Sequence, residues 1–228
     1  MSVGSVLMEA WRLYRLFFWR GLLIATPLFV LFSIPEATVD ALPDTTWTVV
    51  SASILVSLFT SFGDFLIEGV FAEEIRDHRQ GRPPPAAREL VLRMRPRLLR
   101  LLAAALVFAI CFAAGIFLLI IPGLVVLAYW SVIVPVVVLE GHGIRDSFRR
   151  SYRLVKGHFW PVLWTVLIIL VGSGILETGF DNLLFWMPEF YASWLGHLVI
   201  SVLTAPFAAH ALAVIYYRLV DFEPPRSS

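Results

Sequence analysis

Few side chains in this sequence have the right type and spacing for chemistry. Arg20, Asp64, Glu68 and His210 each lie inside or at the edge of a long apolar stretch. Ionisable groups are costly in hydrocarbon, so those found there are candidate functional groups. Asp64 and Glu68 are one helical turn apart and share a face. A guanidinium, two carboxylates and an imidazole have the composition of a proton or ion relay. The competing reading is structural: an ion pair that fixes helix packing, with His210 hydrogen-bonded to a neighbouring helix. Glu177 and His197, at comparable depths near the outer ends of their spans, form a second candidate pair.

The other chemistry-bearing feature is a run of charge. Arg145, Arg149, Arg150, Arg153 and Lys156 fall within twelve residues. On a helical wheel at about 100° per residue, Ile144, Phe148, Tyr152, Val155 and Phe159 occupy a sector roughly 80° wide, and the basic residues take the rest. Asp146 in the first turn, Arg153 and Lys156 in the last, and Gly157 just beyond suit the two ends of a helix. The pattern predicts a surface helix whose five cations rest on acidic phospholipid, each contributing about 1 kcal/mol. A solvated loop that only sets topology is the alternative.

Enzymatic signals are absent. No metal-ligand spacing occurs, no Ser or Cys nucleophile has an adjacent His, and no glycine-rich loop follows a strand. Cys111 alone offers no disulfide. The expectation is a non-enzyme with no cofactor, no metal and no nucleic-acid partner.

The elements that must position these groups are set by composition. Apolar residues make up 59% and charged residues 15% of the chain, against about 25% charged in a soluble domain. Six apolar blocks approach or exceed the roughly 20 residues needed to cross a bilayer core. They cover residues 20–34, 47–71, 98–121, 124–139, 159–176 and 191–220. "LLAAALVFAICFAAGIFLLIIPG" is apolar on every face, whereas a barrel strand alternates, so the spans are helices. The fold class is an all-α membrane protein of six transmembrane helices. Basic amphipathic helices are expected at 1–19, 84–97 and 143–157, on the cytoplasmic interface.

Orientation follows from the 18 Lys and Arg residues. All fall at the N-terminus through Arg20, between spans two and three, between spans four and five, or at the C-terminus. The opposite loops carry Glu36, Asp40, Asp44, Glu177, Asp181 and Glu189 instead. Basic residues in short loops stay on the cytoplasmic side, so both termini are expected there. Pro27, Pro135 and Pro206 interrupt spans one, four and six. Small residues at four-residue spacing, Ser53, Ser57 and Ser61 and then Ala105, Ala109 and Ala113, are expected to mark packed faces.

"AWRLYRLFFWRGLL" (residues 10–23) aligns without gaps on "SYRLVKGHFWPVLW" (residues 151–164), and "AARELVLRMRPRLLRLL" from Ala86 is a weaker third copy. Two readings stand: three repeats of surface helix plus hairpin, or aromatic and basic residues recurring at any cytoplasmic interface.

The stretch from Ile121 to Trp160 resembles a known signature. It is similar to the bacterial six-helix family named for the glycerophosphoryl diester phosphodiesterase membrane domain, and to related inner-membrane proteins. Ile121, Pro122, Gly123, Pro135, Glu140, Gly141, Ser147, Arg150, Ser151, Leu154 and Gly157 carry the likeness. It implies a bacterial inner membrane and a six-helix fold. It implies no phosphodiesterase activity, since no such domain fits in the remaining segments. The function expected is a non-catalytic envelope or assembly protein that engages anionic phospholipid, or a membrane or cytoplasmic protein partner, through its basic helices. The alternative is a transporter or lipid carrier that uses Arg20, Asp64, Glu68 and His210.

Overall fold

The computed structural model describes residues 1–40 and 47–223, and none of them forms a strand. The first helix, α1 (Val3–Asp40), runs unbroken through residues 1–19 and the first span. The surface helix expected at 1–19 is therefore not a separate element. Burial explains this: Val6, Ala10, Tyr14 and Phe17 recur at three- and four-residue intervals and are all buried, so no polar break divides surface from span. Pro27 lies within α1 without ending it.

α2 (Trp47–Arg79) likewise continues past Phe71, and its added turns bury Glu73, Glu74 and Asp77. Gly81, in the left-handed region at φ +67°, turns the chain into an extended proline segment. α3 (Ala87–Met94) and a single 3-10 turn (Arg95–Arg97) then lead into α4 (Leu98–Leu118). One extended residue, Leu119, separates α4 from α5 (Ile120–Trp130). So tight a hairpin requires glycine. A Cβ on Gly115 would meet the Gly123 nitrogen and Cα at 2.8 and 2.9 Å.

The fourth span breaks at Ser131 and Val132, because Pro135 has no N–H to offer the Ser131 carbonyl. A short turn, α6 (Ile133–Pro135), and a wider π-type turn (Val136–Glu140) complete it, ending at Gly141 with φ +70°. α7 (Ile144–Lys156), α8 (Phe159–Leu183) and α9 (Glu189–Asp221) follow, and α9 absorbs Pro206. Six helical segments are long and apolar enough to cross a membrane, which fits a multi-pass membrane protein.

α1 and α9 pack along much of their length. Val6 joins Val214, Ile215 and Leu219 in one apolar cluster, while Val134, Val137 and Val138 pack with Leu101, Ala104, Ala105 and Met94 in another. Ala105 is buried, as its small-residue spacing predicts, but Ala113 and Ser57 are exposed. Ser53 and Ser61 donate to carbonyls of their own helix, at 2.9 and 2.7 Å, which satisfies their hydroxyls without a partner helix.

Ion pairs tie the helix termini together at one end of the bundle. Arg218 of α9 meets Glu9 of α1, Arg79 of α2 meets Asp221 of α9, and Arg97 meets Glu73 at 2.7 Å. All described Arg and Lys residues lie in the segments that form this end.

Candidate functional site

α7 is held to the bundle by one side of its surface. Ser147, Arg150, Ser151, Leu154 and Val155 are buried. Ser151 Oγ donates to the Tyr129 carbonyl at 2.7 Å, fixing α7 to the last turn of α5. Phe148 meets the edge of Trp130 with ring centroids 4.6 Å apart, and Tyr152 lies 4.6 Å from Tyr129.

Arg150 is only 5% exposed. Its Nε donates to both oxygens of Glu140, at 3.1 and 3.0 Å, and its Nη2 donates to Glu223 at 2.7 Å. Nη1 reaches the other Glu223 oxygen, and Tyr216 OH donates to Glu140 Oε1 at 3.0 Å. The hydrogen bonds to Glu223 first, and then those to Glu140, raise the guanidinium pKa above its ordinary value against the opposing cost of burial. Arg150, expected beside four lipid-facing cations, instead turns inward. It lies about 60° around the helix from Arg153, toward two carboxylates on other segments.

Arg145, Arg149, Arg153 and Lys156 remain outside. All four are exposed, and none makes an ion pair among the described residues. At about 100° per residue they share an arc of roughly 80°, with exposed Tyr152 along its margin. Trp130, Phe148, Tyr152, Asp146, Arg149 and Arg153 border an open groove of about 490 Å³.

The proposed relay is not assembled. Arg20 Nε lies 2.9 Å from Glu74 Oε1, a close ion pair in which the N–H is not aimed at the oxygen, and Nη2 donates to the Pro85 carbonyl. Glu74 is six residues beyond Glu68 and ten beyond Asp64, about 9 and 15 Å along the helix axis. Because α2 extends past its apolar block, Arg20 meets an acid the block did not contain. His210 is buried between Phe17 and Phe71, with ring centroids 6.0 and 5.0 Å away, and contacts the Pro206 carbonyl of its own helix.

Asp64 and Glu68 instead border a cleft with residues of α5, α8 and α9. The second sequence-predicted pair forms beside it: His197 Nδ1 lies 2.7 Å from Glu177 Oε1, and Glu177 borders the cleft. Among the described residues, no group of three or more His, Cys, Asp or Glu side chains could hold a metal ion.

Sequence reasoning missed the acidic layer on α2. Glu73 takes Arg76 and Arg97, and Asp77 takes Arg82 (Nε, 2.9 Å) and Arg93 (2.7 Å). The signal was "AEEIRDHR", an acidic and basic run at a helix end whose acids are buried rather than solvated.

Residues 91–219, more than half of the chain, match the family described as a domain of unknown function, DUF7847. The chain belongs to this family. The DUF7847 region takes in α7, Glu140 and the Glu177–His197 pair, and begins after Arg20, Asp64 and Glu68. Nothing in the match connects DUF7847 with the glycerophosphoryl diester phosphodiesterase membrane domain that residues 121–160 resemble. No curated protein and no solved structure matches the chain.

Proposed function

We propose that this DUF7847 protein is a non-catalytic protein of the bacterial cytoplasmic membrane that organises anionic phospholipid at its basic end. In this reading both termini and α7 face the cytoplasm, and Arg145, Arg149, Arg153 and Lys156 meet lipid phosphates. The observation that carries it is the division of labour on α7. Arg150 is consumed by Glu140 and Glu223, while its four neighbours have no anionic partner among the described residues. Cations needed only for internal ion pairs would be paired as Arg150 is. The bordering groove, with aromatic walls and two arginines, suits a headgroup and the start of its chains.

The test is native mass spectrometry of the purified protein in mild detergent, titrated with phosphatidylglycerol or phosphatidylcholine. Retention should favour phosphatidylglycerol and fall as salt rises. The triple variant Arg145→Gln, Arg149→Gln, Arg153→Gln should weaken it about tenfold to a hundredfold, since each cation contributes on the order of 1 kcal/mol. Equal retention of the two lipids, or no change in the triple variant, rejects this role. A co-purifying protein lost in the same variant would point to a protein partner instead.

A further inference from the structure

A second site lies away from the basic end. Two adjoining cavities, of about 380 and 170 Å³, run between α1, α2, α5, α8 and α9, and Asp64, Glu177 and Ser201 border both. Asp64 is exposed to this space although it sits near the midpoint of α2. Glu68 borders the larger cavity and Glu36 the smaller. Glu36 is 4.0 Å from His197, which pairs with Glu177.

The lining is built to accept hydrogen bonds. No Lys or Arg borders either cavity. Three of the hydroxyls have already given their one proton to their own helix. Thr204 donates to the Ile200 carbonyl at 2.8 Å, Ser173 to Leu170 at 2.9 Å and Thr60 to Ser57 at 3.2 Å, which leaves only lone pairs facing the space. Independently of the acids, Ser33 is 3% exposed, borders the smaller cavity, and its Oγ has no hydrogen-bond partner. Glu68 Oε1 is also buried without one.

Four carboxylates face one imidazole here, so the excess negative charge must be met by bound protons or by a cation. A bare metal ion fits poorly, because the acids are spread along the cleft rather than gathered around one point. The walls beside Asp64 are apolar, formed by Leu127, Val166, Ile169, Leu170 and Leu212. A volume near 380 Å³ is at the small end for an organic ligand. A zwitterionic lipid headgroup would bring a phosphate toward the carboxylates and be repelled.

We propose that this cleft binds a small amphiphilic ammonium ion, with its N–H donors on Asp64, Glu68 and Glu177 and its apolar body against the α5 and α8 walls. The site is separate from the lipid-facing surface of α7, so either assignment stands or falls without the other.

Calorimetric titration of the intact protein in a neutral maltoside detergent, corrected for empty micelles, tests this with n-octylammonium as the probe. Binding should be saturable, and n-octanol, of the same length but uncharged, should bind at least about tenfold more weakly, the scale of one charge-assisted hydrogen bond. Asp64→Asn should lower octylammonium affinity about tenfold or more, while Asp64→Glu should retain most of it. Equal affinity for octanol, equal affinity for a lysophosphatidylethanolamine, or an unchanged Asp64→Asn would overturn the site. If Asp64→Asn does not fold, the comparison of octylammonium with octanol on the unaltered protein decides alone.

Discussion

Arg150 grips Glu140 through Nε, at 3.1 and 3.0 Å from its two oxygens, while the other edge of the guanidinium holds Glu223. One side chain thus joins three segments: α7, the end of the fourth span, and the chain just past α9. Glu140 is the last residue of the π-type turn that follows Pro135, so the break in the fourth span sets where this carboxylate points.

Replacing Arg150 should therefore damage the fold rather than lipid binding. Arg150→Met leaves two carboxylates facing each other in a largely buried site, and should cost about 3 kcal/mol. Arg149→Met, on the exposed arc, should change stability by less than about 0.5 kcal/mol. Thermal unfolding followed by tryptophan fluorescence in mild detergent separates the two. Adding Glu140→Gln to Arg150→Met should recover part of the loss, because it removes one of the orphaned charges.

Close backbone approach makes the α4–α5 hairpin sensitive to one methyl group. In Gly115→Ala the new Cβ would sit 2.8 to 2.9 Å from backbone atoms of Gly123, which cannot rotate away. The cost should be about 1–3 kcal/mol in the same melting measurement. Gly174→Ala on α8 meets nothing within 4 Å. It should instead stabilise by roughly 0.5–1 kcal/mol, since alanine restricts the unfolded chain and favours helix.

The contrast shows which features the sequence could reveal. Helical state, the six helices long and apolar enough to cross a membrane and the segregation of the described Lys and Arg to one end follow from hydropathy and charge spacing, which act locally. The Glu177–His197 pair was also legible, because depth along two antiparallel spans can be counted. The relay was not, because Arg20 had a choice of acids and hydropathy placed the end of α2 at Phe71. The helix runs on to Arg79 because Glu73, Glu74 and Asp77 each find a guanidinium from another segment. Paired charge behaves as core and leaves no trace in an apolar count. Arg150 was misplaced for the same reason, since a wheel shows spacing on one helix and not the carboxylates waiting on its neighbours.

Asp77 should act as the clasp between α2 and α3. It is 2% exposed and takes Arg82 from the linker and Arg93 from α3. Asp77→Asn removes the charge from both hydrogen bonds while keeping the shape. Amide hydrogen exchange across residues 87–97 should then speed up by about tenfold or more, the equivalent of losing 1.5 kcal/mol of local closure. Exchange in α8, which does not share these contacts, should stay unchanged, and equal rates in residues 87–97 would show that α3 is held by its apolar side alone.

His210, the fourth residue of the relay expected from the sequence, has the surroundings of a core residue. The ring is 1% exposed, packs between Phe17 and Phe71, and leaves Nε2 buried without a partner. His210→Phe loses the contact with the Pro206 carbonyl and also removes that unsatisfied nitrogen, two changes of similar size and opposite sign. Stability should stay within about 1 kcal/mol of the unaltered protein. Octylammonium affinity should not change, because His210 borders neither cavity around Asp64. A tenfold loss of affinity with an unchanged melting temperature would return His210 to the site and couple the imidazole to the carboxylates of α2.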